Sequence, residues 1–173
     1  MVQSVELLLD DALQAAVRAQ WRSLAEAGLP SLGRRTDATN RPHVTLAVST
    51  QPWPDPVERA LATAVAGGVP VPIRLGGVLL FPHGRRCVLA RAVVPSAALL
   101  GLHARLAGTL HDVPGAVPHL APGAWTPHVT LARAIEVTQL PTALARLGPG
   151  DQSGAGVSVR RWDGDGRREW PIG

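Results

Sequence analysis

The sequence predicts a mixed α and β fold in which one pattern of elements occurs twice. Two observations carry that expectation. A six-residue phrase, Pro42-His43-Val44-Thr45-Leu46-Ala47, returns unchanged as Pro127-His128-Val129-Thr130-Leu131-Ala132, 85 residues further along a chain of 173. Around each copy the chain reads strand, helix, loop, motif strand, helix, strand, which makes the repeat an internal duplication. The expectation is one domain over residues 1–173, with halves of about 1–83 and 84–173. Related by a pseudo-two-fold axis, the halves bring their motif strands together at the centre, facing one cleft.

Each element has a local reason. Val2 to Leu9 reads as a strand, and Asp10-Asp11 then supplies an N-cap and an acidic first turn. Leu13, Ala16, Val17, Trp21, Leu24 and Ala25 follow at helical spacing, closed by Gly28 and Pro30. A polar loop over 30–41 carries Arg34, Arg35 and Arg41 into the first motif strand. Pro52, Pro54 and Pro56 mark a turn before a helix over about 57–65, which Gly67-Gly68 stops. A strand over about 71–81 follows, with Gly76-Gly77 as a bulge or bend.

The second half repeats this order. Cys87 to Val94 is a strand, and Pro95-Ser96 opens a helix through Leu99, Leu102, His103, Leu106 and Leu110. A Pro/Gly-rich loop over 114–127 leads into the second motif strand, and a short helix spans about 140–147. Strands near 157–162 and 168–172 finish the chain, joined by a hairpin turn at Asp163-Gly164-Asp165-Gly166.

Composition narrows the functional classes. A 46% hydrophobic and 17% charged chain is an ordinary globular protein with enough length to bury a core. No long apolar run and no cleavable signal follow Met1, so a cytoplasmic location and no membrane association are expected. Cys87 is the one cysteine, which excludes an intrachain disulfide and a cysteine-based zinc site. The net charge is +4, but all 17 basic residues are Arg, and with abundant Ala, Gly and Pro that reflects coding bias. Basicity is therefore weak support for a phosphate-bearing ligand. The absence of Lys has a firmer use: ligation through a covalent lysine adduct is excluded.

The repeated phrase carries the chemistry. In a strand, alternate side chains share a face, so His43 and Thr45 point one way while Val44 and Leu46 point the other. His128 and Thr130 do the same. Each strand offers an imidazole and a hydroxyl roughly 7 Å apart on one face, spaced for a bridging phosphate. Two such strands side by side make a four-point site. The His-x-Thr spacing lacks the clustered donors of a metal site, and no metal or cofactor is expected.

Paired His-x-Thr motifs, one in each half of a chain this long, resemble those of the 2H phosphoesterase superfamily. Within it the chain is most similar to the bacterial 2′-5′ RNA ligase group, whose main activity is 2′,3′-cyclic phosphodiester hydrolysis. The resemblance implies a bilobal α+β fold, with antiparallel sheets lining a central cleft and helices outside. It also implies acid–base catalysis by two histidines, His43 as proton donor and His128 as proton acceptor, leaving a 2′-phosphate end. The sequence alone does not fix which histidine does which. A histidine has a reference pKa of roughly 6.5, so one neutral and one protonated ring predict a bell-shaped pH–rate profile. Thr45 and Thr130 would hold the nonbridging oxygens.

Other candidates are secondary. Arg133 lies three residues after Thr130, on the opposite parity of an ideal strand, and reaches the cleft only where the strand ends or twists; a basic residue here is common in the family it resembles. Phe81 and Trp125 either stack on a base or pack beneath a loop. Arg41, Arg85 and Arg86 are candidate phosphate contacts, with solvated loop charges the default. His83, His103, His111 and His119 have no Thr at +2 and read as surface or capping residues.

Three functional classes remain. The first is a metal-independent cyclic phosphodiesterase acting on RNA ends or small cyclic nucleotides. The second is an ATP-independent 2′-5′ RNA ligase running the same transesterification in reverse, with a 5′-hydroxyl replacing water. The third is a non-catalytic RNA- or nucleotide-binding module. Aromatic content of 3%, with a single Phe and no Tyr, argues against an extended base-stacking surface and tilts the expectation toward small substrates. One chain supplies both motifs, so a monomer with no obligate protein partner suffices.

Overall fold

Strand β1 (Gln3–Leu9) is buried along its whole length, because it lies inside a sheet and pairs with a neighbour on each side. The computed structural model describes residues 3–173, and the expected first residue of this strand, Val2, lies outside them. Helix α1 (Asp11–Glu26) follows, its first turn capped by Asp10, whose carboxylate accepts from the Leu13 N–H at 2.9 Å. The first half continues with β2 (His43–Ser49), α2 (Asp55–Val65) and β3 (Val71–His83). The second consists of β4 (Arg86–Val93), α3 (Ala97–Thr109), β5 (His128–Glu136), α4 (Leu140–Ala145) and β6 (Gln152–Asp163), and β7 (Arg168–Ile172) ends the chain. Ser96 caps α3 as Asp10 caps α1, accepting from the Leu99 N–H at 3.1 Å.

All strand pairs are antiparallel, in the order β2-β1-β6-β3-β4-β5, with β7 added to β6. Exchanging β1 with β4, β2 with β5 and β3 with β6 returns the same order. The expected antiparallel sheets are therefore joined into one, through the pairing of Val71–Leu75 with 152–156. The outermost strands, β2 and β5, nonetheless contact each other, so the sheet curls until its ends meet. The fold is α+β. Among the described residues no helix is long and apolar enough to cross a membrane.

One apolar core joins the sheet to the helices. Helix α1 packs on β1, β5 and β6, and α3 on β2 and β3, so each long helix also touches the other half's motif strand. Leu99, Leu102 and Leu106 of α3 are wholly buried, each stabilising the fold by about 2 kcal/mol. His103 shares that face and is 2% exposed, which corrects the surface half of the expectation that it is a surface or capping residue. Its helical register with the three leucines is the reason.

Strand β6 begins five residues before the expected start, at Gln152. Its Gly-rich opening reads as loop, but the glycines serve close packing: a Cβ on Gly156 would lie 2.5 Å from Leu7, and one on Gly154 would lie 2.5 Å from the Asp10 carboxylate. Gly76-Gly77 does form the expected bulge, where the β3–β4 register slips between Leu75 and Val78.

Candidate active site

The two motif strands share a bulge as well as a sequence. In β2 the pairing to β1 steps from Thr45 opposite Glu6 to Ala47 opposite Val5. In β5 the pairing to β4 steps from Thr130 opposite Ala90 to Ala132 opposite Leu89. Each strand gains a residue at its Leu-Ala pair, and Leu46, Ala47, Leu131 and Ala132 are all buried. Residues beyond the bulge therefore change face. Val48 and Arg133, each five positions after its histidine, both line a cavity of about 240 Å³ with His43 and Thr45. Ideal alternation puts Arg133 on the wrong side; the bulge brings it into the cleft. The strand then turns at Ala134, with φ of 59°, before Ile135 rejoins opposite Cys87.

Both imidazoles are oriented alike. Nδ1 of His43 lies 2.7 Å from the Arg41 carbonyl, and Nδ1 of His128 lies 2.7 Å from the Thr126 carbonyl. A carbonyl only accepts, so Nδ1 carries the proton and donates in both rings. Nε2 is left to exchange protons. Two indoles hold the strands from opposite halves: Trp21 of α1 donates to the Thr130 carbonyl at 3.0 Å, and Trp125 donates to the Thr45 carbonyl at 3.1 Å. These bonds occupy backbone acceptors on the outer edges of β5 and β2.

The surroundings of the two rings differ. Glu6, opposite Thr45 on β1, places Oε1 3.5 Å from His43 Nε2. The equivalent position on β4, opposite Thr130, is Ala90. Glu6 is 5% exposed. Burial pushes its carboxyl up, but the charges of His43 and Arg160 and hydrogen bonds from Ser4 and Arg160 outweigh this and hold it below the usual range. Arg160 donates to Glu6 from two nitrogens at 2.8 and 2.7 Å, to the Thr39 carbonyl at 2.9 Å, and to Glu169. Glu169 also accepts from Arg41 at 2.8 Å.

Among the described residues His128 has no such counter-charge. Burial lowers its pKa below the ordinary histidine value; the Thr126 bond opposes this, while the charges of His43 and His119 add to it. Part of the dry surface is Phe81, whose ring centroid is 4.7 Å from that of His128. A Phe81→Ala variant should wet the ring and move the acid limb of any pH–rate profile up toward the ordinary histidine value. Profiles of the variant and the parent check this.

The structure thus brings His43, Thr45 and Arg133 into one cavity and sets Phe81 against His128. Trp125 packs against protein groups. Its ring stacks on His103 at 3.9 Å and 7°, and its N–H is spent on β2. Arg41 and Arg35 line the same cavity, whereas Arg86 pairs with Glu136. His83, His111 and His119 are exposed. Glu6 and Arg160 are not singled out by the sequence pattern. Their signal is a charge in an otherwise apolar or alternating strand, which only burial makes conspicuous. Among the described residues no three His, Cys, Asp or Glu side chains form a metal-binding group.

Known proteins match this chain in two of three comparisons. A family model described as the 2′-5′ RNA ligase superfamily matches residues 9–166. No curated protein matches significantly. Among solved structures, E. coli LigT complexed with 3′-AMP aligns over 99% of this chain and 94% of its own, with 20% identity and a TM-score of 0.58. Kluyveromyces marxianus Usb1 with uridine monophosphate aligns over 99% and 97%, with 14% identity and a TM-score of 0.56. The MHV ns2 PDE domain aligns over 99% of both chains, with 15% identity and a TM-score of 0.54. At these identities the likeness is one of fold.

Proposed function

The chain belongs to the 2′-5′ RNA ligase superfamily, and from that membership we propose that it is a metal-independent phosphoesterase hydrolysing 2′,3′-cyclic phosphodiesters to 2′-phosphates. The observation that carries the reading is the pair of histidines with identical Nδ1–carbonyl bonds and unequal surroundings. In this scheme His128, kept neutral by burial, takes a proton from water at Nε2 as the water oxygen bonds to phosphorus. The P–O3′ bond breaks, and His43 gives its Nε2 proton to O3′. The products are a 2′-phosphate and a free 3′-hydroxyl; solvent exchange then resets both rings. Thr45 and Thr130 donate to the nonbridging oxygens as charge grows on them, and Arg133 adds a fixed positive charge.

Two of the fold relatives were solved with nucleoside monophosphates, 3′-AMP and UMP, which supports a nucleotide-sized ligand. Both motifs come from one chain, which supports a single-chain active unit. The test is a panel of 2′,3′-cyclic mononucleotides and cyclic-phosphate oligonucleotides assayed in EDTA, with the product phosphate located by phosphorus NMR. Appearance of a 2′-phosphate supports the proposal, and no turnover on any member overturns it. Adding a 5′-hydroxyl oligonucleotide decides the ligase alternative, since a joined product requires that hydroxyl in place of water. Thr45→Val and Thr130→Val keep the strand shape and should each lower kcat about ten- to a hundredfold. Steady-state kinetics on the best substrate checks them.

A further inference from the structure

We propose that Glu6 is the positioning residue that assigns the proton-donor role to His43. The inference rests on the paired-histidine reading above. The two motif strands share six residues, a bulge and an Nδ1–carbonyl bond. Nothing within the motif can therefore tell one histidine from the other. The difference lies on the neighbouring strands, where the residue opposite Thr45 is Glu6 and the residue opposite Thr130 is Ala90.

The geometry suits a counter-charge rather than a competing acceptor. With Nδ1 donating to the Arg41 carbonyl, a carboxylate 3.5 Å from Nε2 faces the second N–H of an imidazolium. That separation is longer than a hydrogen bond, so the proton stays available to a leaving oxygen. Oε1 is occupied by the Ser4 hydroxyl at 2.8 Å, and Oε2 by Arg160. The other charged groups around His43 are Arg160 of β6, Glu169 of β7, Arg35 and Arg41 of the preceding loop, and Arg133 and His128 of β5. Glu6 and Glu169 balance Arg160 and Arg41, and Arg35 pairs with Asp37. Removing the Glu6 charge makes this set more positive beside His43, which disfavours a second proton on the ring.

The test compares Glu6→Gln, Glu6→Asp and the parent in kcat/KM against pH on a 2′,3′-cyclic nucleotide, with nitrogen NMR of the histidine rings in the free protein. For Glu6→Gln the expected result is about a tenfold loss near pH 8 and little loss near pH 6. The acid limb and KM should hold, and the His43 ring nitrogens should differ in their spectrum from the parent's while those of His128 do not. Glu6→Asp retains the charge and should restore much of the alkaline rate. Superimposable profiles, equal loss at every pH, or an unchanged His43 spectrum in Glu6→Gln would overturn the assignment. If His43→Ala leaves turnover intact, the catalytic reading fails, and the ring spectra alone decide whether Glu6 controls the His43 proton.

Discussion

Alanine in place of His43 or His128 is expected to lower kcat/KM on a 2′,3′-cyclic phosphate by about a hundred- to ten-thousandfold. Each ring is half-buried at the start of its strand rather than packed in the apolar core, so the variants should fold and bind substrate with little change in KM. The two losses differ in kind. His43 is needed only because a ribose oxygen leaves poorly without a proton. An aryl phosphodiester, whose phenolate departs unaided, should recover most of the activity of His43→Ala and none of that of His128→Ala. The double variant should be little worse than the poorer single one, because acid and base serve one transition state. Equal recovery in both variants would reverse or dissolve the assignment of roles.

The His-x-Thr pairs were legible because strand periodicity is local: two residues of spacing fix a shared face whatever the sheet around them. The long helices were legible for the same reason, since Asp10 and Ser96 cap them and the leucines recur at helical spacing. Arg133 was legible only as a conditional candidate, because a bulge reverses parity and no residue in Thr-Leu-Ala announces one. The start of β6 was hidden by glycines whose role is to admit Leu7 and Asp10, contacts made about 145 residues away in sequence. Glu6 is not legible in the sequence because a single acidic residue in a short strand reads as a solvent-facing position. Its meaning depends on Arg160, 154 residues later. The motif could be read from the chain, whereas the asymmetry between its copies lies in long-range strand pairing.

Arg160→Met should destabilise the protein by about 3–5 kcal/mol, because it strands the buried Glu6 carboxylate without its guanidinium partner. For a chain of this size that corresponds to a fall in Tm on the order of 10 °C. The pH dependence separates this cause from lost packing. In the parent, Glu6 has its folded-state pKa held below the ordinary value, so its contribution is present above the carboxylate range and is lost as pH falls through it. In Arg160→Met, burial acts with less opposition and favours the protonated carboxyl in the folded state. The folded protein then binds more protons than the unfolded chain, and stability falls as pH rises. The stability deficit relative to the parent should therefore be smaller near pH 5 than near pH 8. Adding Glu6→Gln to Arg160→Met removes the stranded charge, so the double variant should be more stable than Arg160→Met alone at neutral pH. Thermal unfolding of the three variants across that pH range checks each expectation. A deficit independent of pH and unrelieved by Glu6→Gln would mean that Arg160 acts through packing, and that Glu6 does not depend on it to stay ionised beside His43.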